Sequence, residues 1–285
     1  MKVSNVGVVG CGLMGSGIAE VCAKIGCDVR VMEPNLDLLG AGMARIEASL
    51  ARAAERGKIT DEKKREIRGR IRGTTDLADF KDRDLVIEAV VEKMDAKKEV
   101  FRTLDRTVRA EAILATNTSS LSVTELAAAT KRPGKVVGMH FFNPVPVVPL
   151  VEIVRAESTF EPTVATIREL GERMGKKIIV SPDVPGFIVN RLLVPYLLEA
   201  VRLVESGVAS PEDVDAGMTT GCGHPMGPIR LLDYVGLDTT LFIAEYMFDQ
   251  FKSPHLAPPP LLRRMVAAGR LGRKSGRGFY EWAKA

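Results

Sequence analysis

Three groups of residues in this 285-residue chain have the types and spacing to do chemistry. The first is the run Gly10-Cys11-Gly12-Leu13-Met14-Gly15, with Glu33 eighteen residues beyond Gly15. In a G-x-G-x-x-G loop the first glycine makes the tight turn. The second lets backbone N–H groups approach a pyrophosphate, and the third lets the next helix pack close to the strand. That helix's N-terminus then faces the phosphate charge. A carboxylate at position 33 accepts hydrogen bonds from an adenosine ribose diol and repels a 2′-phosphate, so these residues predict NAD, with NADP disfavoured. The second group is His140 and Glu152, twelve residues apart. If they sit on paired strands, the carboxylate reaches one imidazole nitrogen, fixes the tautomer and leaves the other nitrogen to take a proton. Taken alone, His140 lies among apolar residues and reads as a core histidine with satisfied nitrogens, and Glu152 as a solvated strand residue. The third group is Asn117 and Ser119, at the end of a strand, and Asn190, among apolar residues where a polar side chain needs a partner.

The surrounding pattern says which elements carry these residues. Residues 3–9 form an apolar run before the glycine loop. Ile18, Val21, Cys22 and Ile25 have the spacing of a helix face, and residues 27–33 return as a strand ending at Glu33. The order strand, glycine turn, helix, strand, acid is one βαβ unit. Residues 36–72 read as two helices with Gly57 between them. Strands follow at 84–91, 112–116, 136–142, 150–154 and 177–180, with helices at 95–109, after Ser122 or Thr124, and at 162–174. This alternation predicts a doubly wound sheet. After Pro182 the texture changes. Residues 187–206 are helical and apolar on most faces, and 211–220 and 228–250 continue as helices. The chain therefore reads as an α/β, Rossmann-like doubly wound domain over 1–184, followed by an all-α domain over 185–285.

Composition narrows the class. Hydrophobic residues make up 46% and charged residues 27%, which fits a globular protein and excludes wholesale disorder. No run approaches the ~18 apolar residues of a membrane span. The N-terminus shows no secretion signal, and four cysteines without zinc spacing fit reduced thiols in the cytoplasm. No metal site is expected. The net charge is +4, but residues 43–73 hold ten Lys/Arg against five Asp/Glu, leaving the remaining chain at −1. That patch suits a phosphorylated partner, or is simply a solvated helix face. It contains no Phe, Tyr or Trp, which argues against nucleic acid.

The runs GCGLMGSGIA, ATNTSSLSVTELA, GMHFFNPVPVVPLVEIV, PGFIVNRLLVPYLLEA, HPMGPIRLLDYVGLD and GRKSGRGFYEW, in this order, resemble the L-3-hydroxyacyl-CoA dehydrogenases. The resemblance covers nearly the whole chain and is most like the bacterial 3-hydroxybutyryl-CoA enzymes. It implies an NAD-dependent oxidoreductase of fatty-acid or butanoate metabolism that interconverts L-3-hydroxyacyl-CoA and 3-ketoacyl-CoA. It assigns His140 as catalytic base, Glu152 as its electrostatic partner, and Ser119 and Asn190 as hydrogen-bonding groups for the substrate oxygen and thioester. Glu33 matches the ribose acid, often aspartate in relatives. Glu92, Lys97, Asn143 and Lys274 fall at cofactor contacts. Ser49 and Arg56 fall at CoA contacts within the helical insertion 36–72. Relatives often carry lysine at the second of these, so Lys58 is a rival to Arg56. The family also implies a homodimer through the C-terminal helical domain, and neither nucleic acid nor membrane as partner.

Two other readings fit part of this pattern: a CoA-independent 3-hydroxyacid dehydrogenase like gulonate 3-dehydrogenase, and an NAD-binding protein without catalysis. The basic patch weighs against the first and the pairing of His140 with Glu152 against the second. From Glu33, kcat/KM is expected to be higher with NADH than with NADPH in steady-state assays; equal values would remove Glu33 from cofactor selection.

Overall fold

The computed structural model describes residues 2–283. Its contacts divide the chain into two compact units, Met1–Val184 and Pro185–Ala285. The first is built on an eight-stranded sheet. In chain order its elements are β1 (Asn5–Val9), α1 (Leu13–Lys24), β2 (Asp28–Met32), α2 (Leu36–Glu55), α3 (Asp61–Gly69), β3 (Ile71–Thr74), β4 (Leu85–Glu88), α4 (Met94–Thr107), β5 (Ile113–Thr116), α5 (Val123–Ala127), β6 (Val136–Phe141), β7 (Leu150–Arg155), α6 (Glu161–Arg173) and β8 (Lys177–Pro182). The strand order is β3-β2-β1-β4-β5-β6-β7-β8. β6 and β7 run antiparallel, and the other neighbours run parallel. Parallel strands covered on both faces should be apolar without a break. β4, β5 and β6 are buried at every position.

Local chemistry sets the helix boundaries near the cofactor loop. The Asn35 side chain caps α2 by accepting from Leu38 N–H, and Thr60 caps α3 by accepting from Lys63 N–H. Gly57, at φ 66°, turns the chain between them. β3 corrects the sequence reading, which placed residues 71 and 72 in a helix and left no strand here. Ile71 pairs with Val29 at the sheet edge. Only Ile71 of the four residues is buried, so the strand carries no apolar run to betray it. The strand expected over 84–91 ends at Glu88, where the chain turns into a loop.

The second unit contains α7 (Val189–Glu205), α8 (Pro211–Ala216), α9 (Pro228–Val235), α10 (Leu237–Phe251) and α11 (Pro260–Ala267) around a core that includes Leu197, Leu198, Ile229, Leu232 and Met247. Residues 217–221 form a π-helical turn after α8. The single helix expected over 228–250 is split at Gly236, whose φ of 105° no right-handed helix accommodates. Among the described residues no helix is long and apolar enough to cross a membrane, and no cluster of His, Cys, Asp or Glu is placed to hold a metal.

One buried carboxylate takes three donors of the C-terminal segment. Asp233, fully buried in α9, accepts from the N–H groups of Phe279 and Tyr280 at 2.9 Å each and from Trp282 Nε1 at 2.8 Å. A side chain at Gly278 would collide with that carboxylate. Asp233→Ala leaves three donors unpaired and is expected to lower stability by about 3 kcal/mol or more. Asp233→Asn, which keeps an accepting oxygen, should cost less. Chemical denaturation of the two variants checks this.

Candidate active site

The connections from β1 and β4 run to opposite sides of the sheet, which opens a crevice at the carboxyl ends of these adjacent strands. Gly10 leaves β1 at φ 91°, and a Cβ there would lie 2.6 Å from the Ala89 carbonyl oxygen. The loops after β1 and β4 therefore meet in backbone contact. A Cβ on Gly12 would meet nothing within 4 Å, so this backbone borders open space. A Cβ on Gly15 would overlap the Gly10 carbonyl, and only glycine lets α1 sit so close. α1 begins with neither a capping side chain nor an acid in its first turn, which leaves its first N–H groups for a ligand. Glu33, just past β2, accepts from the Cys11 N–H, and Arg45 of α2 donates to the Cys11 carbonyl at 3.4 Å. Leu13, Leu36 and Val91 are exposed apolar residues at the ends of these same elements. A tight turn, an open glycine cradle, an uncapped helix and an acid beyond the second strand fit a dinucleotide. The buried Cys11 thiol is pushed up to about 11, by burial first and the Glu33 carboxylate second, so it stays protonated and is not a nucleophile.

The second group rests on the antiparallel pair. His140 on β6 lies opposite Glu152 on β7, and residues directly opposite share a face of the sheet. Nδ1–H of His140 donates to Glu152 Oε2 at 2.7 Å, with His140 5% and Glu152 0% exposed. A carboxylate acceptor puts the proton on Nδ1 and makes Nε2 the basic nitrogen of the ring. The Phe142 ring packs beside the imidazole, with centroids 4.4 Å apart. The connection from β6 to β7 is held from two sides. Lys176 Nζ donates to the carbonyls of Val145 and Val148 at 2.5 and 2.6 Å, and Val145 packs so tightly on α1 that a Cβ at Gly17 would lie 2.8 Å from its Cβ. The exposed Asn143 lies in this connection. Asn117 ties the end of β5 to β6, its Oδ1 accepting from Phe141 N–H at 2.9 Å.

A third group joins β4 to β5. Glu92 Oε1 accepts from Ser119 N–H at 2.8 Å, Ser119 Oγ at 3.2 Å and Thr118 Oγ1 at 2.5 Å. Glu92 Oε2 lies 3.0 Å from Lys97 Nζ. Lys97, expected as a direct cofactor contact, is 1% exposed and directs its ammonium to Glu88 and Glu92. Glu88 was missed by the sequence reading: an acid after Leu85-Val86-Ile87 looks like a strand end. The signal available was an acid inside an otherwise fully apolar strand, which demands a buried partner.

The other expected residues lie elsewhere. Ser49 is half-buried on α2 and faces Glu20 of α1, a carboxyl raised by burial against the lowering effects of Ser49, Lys24 and Arg52. Arg56 and Lys58 are exposed on either side of Gly57, at the α2–α3 turn. In the second unit, Asn190 is buried in the first turn of α7, and Lys274 forms an ion pair with Asp238 at 2.6 Å.

Residues 5–184 match the family described as 3-hydroxyacyl-CoA dehydrogenase, NAD binding domain, and residues 186–282 match 3-hydroxyacyl-CoA dehydrogenase, C-terminal domain. The chain belongs to the 3-hydroxyacyl-CoA dehydrogenase family. It is accordingly an oxidoreductase whose N-terminal part is that family's NAD-binding domain. It is 54% identical to 3-hydroxybutyryl-CoA dehydrogenase of Mycobacterium tuberculosis over 282 residues, covering 98% of this chain and 99% of the relative. It is 44% identical to the human mitochondrial hydroxyacyl-coenzyme A dehydrogenase, covering 98% and 91%. The crystal structure of Mycobacterium tuberculosis FadB2 superimposes with a TM-score of 0.98 at 54% identity, covering 99% of this chain and 100% of that one. That of (S)-3-hydroxybutyryl-CoA dehydrogenase PaaH1 from Ralstonia eutropha gives 0.94 at 43%, also covering 99% and 100%.

Proposed function

We propose that this chain interconverts L-3-hydroxybutyryl-CoA and acetoacetyl-CoA, using NAD and a His–Glu pair as general base. The observation that carries the reading is the buried His140–Glu152 hydrogen bond of 2.7 Å, in the NAD-binding domain of a family whose relatives bear this activity in their names. Bound NAD supplies the acceptor for the hydride that leaves C3. A free alcohol is too weak an acid to ionise first, so the hydroxyl proton passes to Nε2 of His140 as the hydride departs, and the C3–O bond becomes a carbonyl. Glu152, fixed at Nδ1, offsets the charge that then forms on the ring. Ser119 and Asn190 are assigned hydrogen bonds to the substrate oxygen or thioester. In the reverse direction His140 returns the proton.

The cofactor is assigned to the cradle of Gly10, Gly12, Leu13, Met14 and Gly15, with Glu33 at the ribose diol. Repulsion of a 2′-phosphate by Glu33 supports NAD over NADP. Glu92, Ser119, Asn143 and Lys274 are assigned further contacts, and Lys97 acts through Glu92. The α2–α3 hairpin, with Ser49, Arg56 and Lys58, is assigned to the phosphates of CoA, since exposed guanidinium and ammonium groups are suited to them. The all-helical unit is assigned the dimer interface; exposed Leu192, Val208 and Phe242 support a self-complementary apolar surface. Four free cysteines fit a reducing compartment such as the cytoplasm. NADH oxidation with acetoacetyl-CoA separates this reading from a CoA-independent dehydrogenase and from a non-catalytic NAD-binding protein.

His140→Gln is expected to reduce kcat by about 10²–10⁴-fold, the span of general base catalysis, while NADH affinity measured by fluorescence stays nearly constant. Substantial turnover in that variant would remove His140 as the base. Arg56→Ala is expected to raise KM for acetoacetyl-CoA and flatten its dependence on ionic strength, with kcat held. An unchanged KM would pass the role to Lys58 or take it from the hairpin altogether.

A further inference from the structure

We propose that Glu88 determines which oxidation state of the nicotinamide the crevice prefers: with the partly buried Glu92 and the single cation Lys97 it forms a fixed site of net charge −1 behind Ser119, which favours the cationic oxidised ring over the neutral reduced one. The inference rests on the reading that places Ser119 and Glu92 at the cofactor.

Glu88 is the last residue of β4, is 0% exposed and takes no part in the proton transfer derived above. Its Oε1 accepts from Lys97 Nζ at 2.8 Å and from Val90 N–H at 2.7 Å. Its Oε2 accepts from Thr116 Oγ1 at 2.7 Å and from the same ammonium at 3.1 Å. Lys97 also reaches Glu92, whose other oxygen holds the backbone and hydroxyl of Ser119. One ammonium thus serves two carboxylates. Among the described residues no second cation lies within ion-pair distance of either.

Glu92 and Lys97 are held in their charged forms. Burial pushes the Glu92 carboxyl up, but the Lys97 charge and the hydrogen bonds from Thr118, Ser119 and Lys97 outweigh it and hold the group below the usual carboxylate range. Burial pushes Lys97 down, and the charges and hydrogen bonds of Glu88 and Glu92 more than reverse this. Pairing a buried lysine needs one carboxylate, and each further buried charge is costly to desolvate. The second acid is therefore unexplained by the lysine alone. It is explained by what a fixed negative charge does to a ligand that gains or loses a positive one. Hydrogen bonds to neutral parts of the cofactor hold both redox states about equally, whereas an anion in a poorly screened crevice discriminates between them. Glu88 lies behind the other members of the cluster and is a positioning residue. Neutralising it gives Lys97 wholly to Glu92 and brings the site to zero charge.

The test is equilibrium binding of NAD+ and of NADH, without acyl substrate and at one pH, by calorimetry and by nucleotide fluorescence. In Glu88→Gln the ratio Kd(NAD+)/Kd(NADH) is expected to rise by about fivefold or more, through weaker NAD+ binding, with NADH affinity within about twofold of the parent. Glu92→Gln removes the same unit of charge from a side chain that is 26% exposed, and should move the ratio in the same direction. If Glu88→Gln loses thermal stability but keeps the parent ratio, Glu88 is an anchor of the fold and the inference is overturned. If Glu88→Gln does not fold, an unchanged ratio in Glu92→Gln overturns it equally. A parent protein that binds neither nucleotide overturns the cofactor reading, and the inference falls with it. Binding of both, with a ratio indifferent to either substitution, overturns the inference alone.

Discussion

The arrangement of the candidate site depends on the register between two antiparallel strands. Side chains alternate across a sheet with period two, so a slip of one residue between β6 and β7 would send Glu152 to the opposite face from His140. A buried carboxylate without a partner is severely penalised, and so is a buried imidazolium. The hydrogen bond between them therefore enforces the register as much as it follows from it. The reversal of strand direction also matters. Antiparallel neighbours are joined here by a connection of eight residues, 142–149, where a parallel crossover would need a dozen or more. That short connection is fastened by Lys176 and packed against α1 at Gly17. The helix at the glycine loop and the strand carrying His140 are thus one packed body.

Much of this was legible in the chain because it is written in local patterns. The glycine loop, the helix after it and the acid after the second strand are contiguous, and at Gly10 and Gly15 the fold leaves no room for a Cβ. β4, β5 and β6 were recognised from apolar runs and are buried at every position, whereas β2 and β8 were recognised although they are only partly buried. The His140–Glu152 contact was legible only conditionally, since a spacing of twelve residues cannot say that two strands pair. The division of residues 228–250 at Gly236 was hidden for a related reason. A glycine inside an apolar helical pattern reads as a tolerated residue until its positive φ is known.

What stayed hidden is instructive in physical terms. β3 is an edge strand with a single buried side chain, and an edge strand needs no apolar run. Glu88 and Lys97 are nine residues apart, on a strand and the helix that follows. Taken separately, each looks like a residue that water would solvate. Their burial is a tertiary fact, created when α4 returns across the end of β4. Lys97 shows the consequence most plainly. An exposed cation at that position would be free to meet a phosphate, whereas this ammonium is held by two carboxylates.

Charge of opposite sign is thereby assigned to different tasks along one domain. The two buried carboxylate groupings, Glu152 with His140 and Glu88 with Glu92 and Lys97, lie at or near the carboxyl ends of central strands, where low exposure preserves the strength of each interaction. The cations of residues 43–73 lie mostly on the exposed α2–α3 hairpin, where solvent and salt weaken any single pair and only their number makes an attractive field. A buried anion is costly to place but acts with fixed geometry, which suits proton transfer and discrimination between redox states. A diffuse patch of exposed cations is easily accommodated and tolerant of exact position, which suits holding the phosphates of a long, flexible substrate. Under the proposed function the reacting carbon and the phosphates of the same substrate are chemically far apart. A single domain can serve both ends because the sheet supplies rigidity where charge must be placed, and the hairpin supplies surface where it need only be abundant.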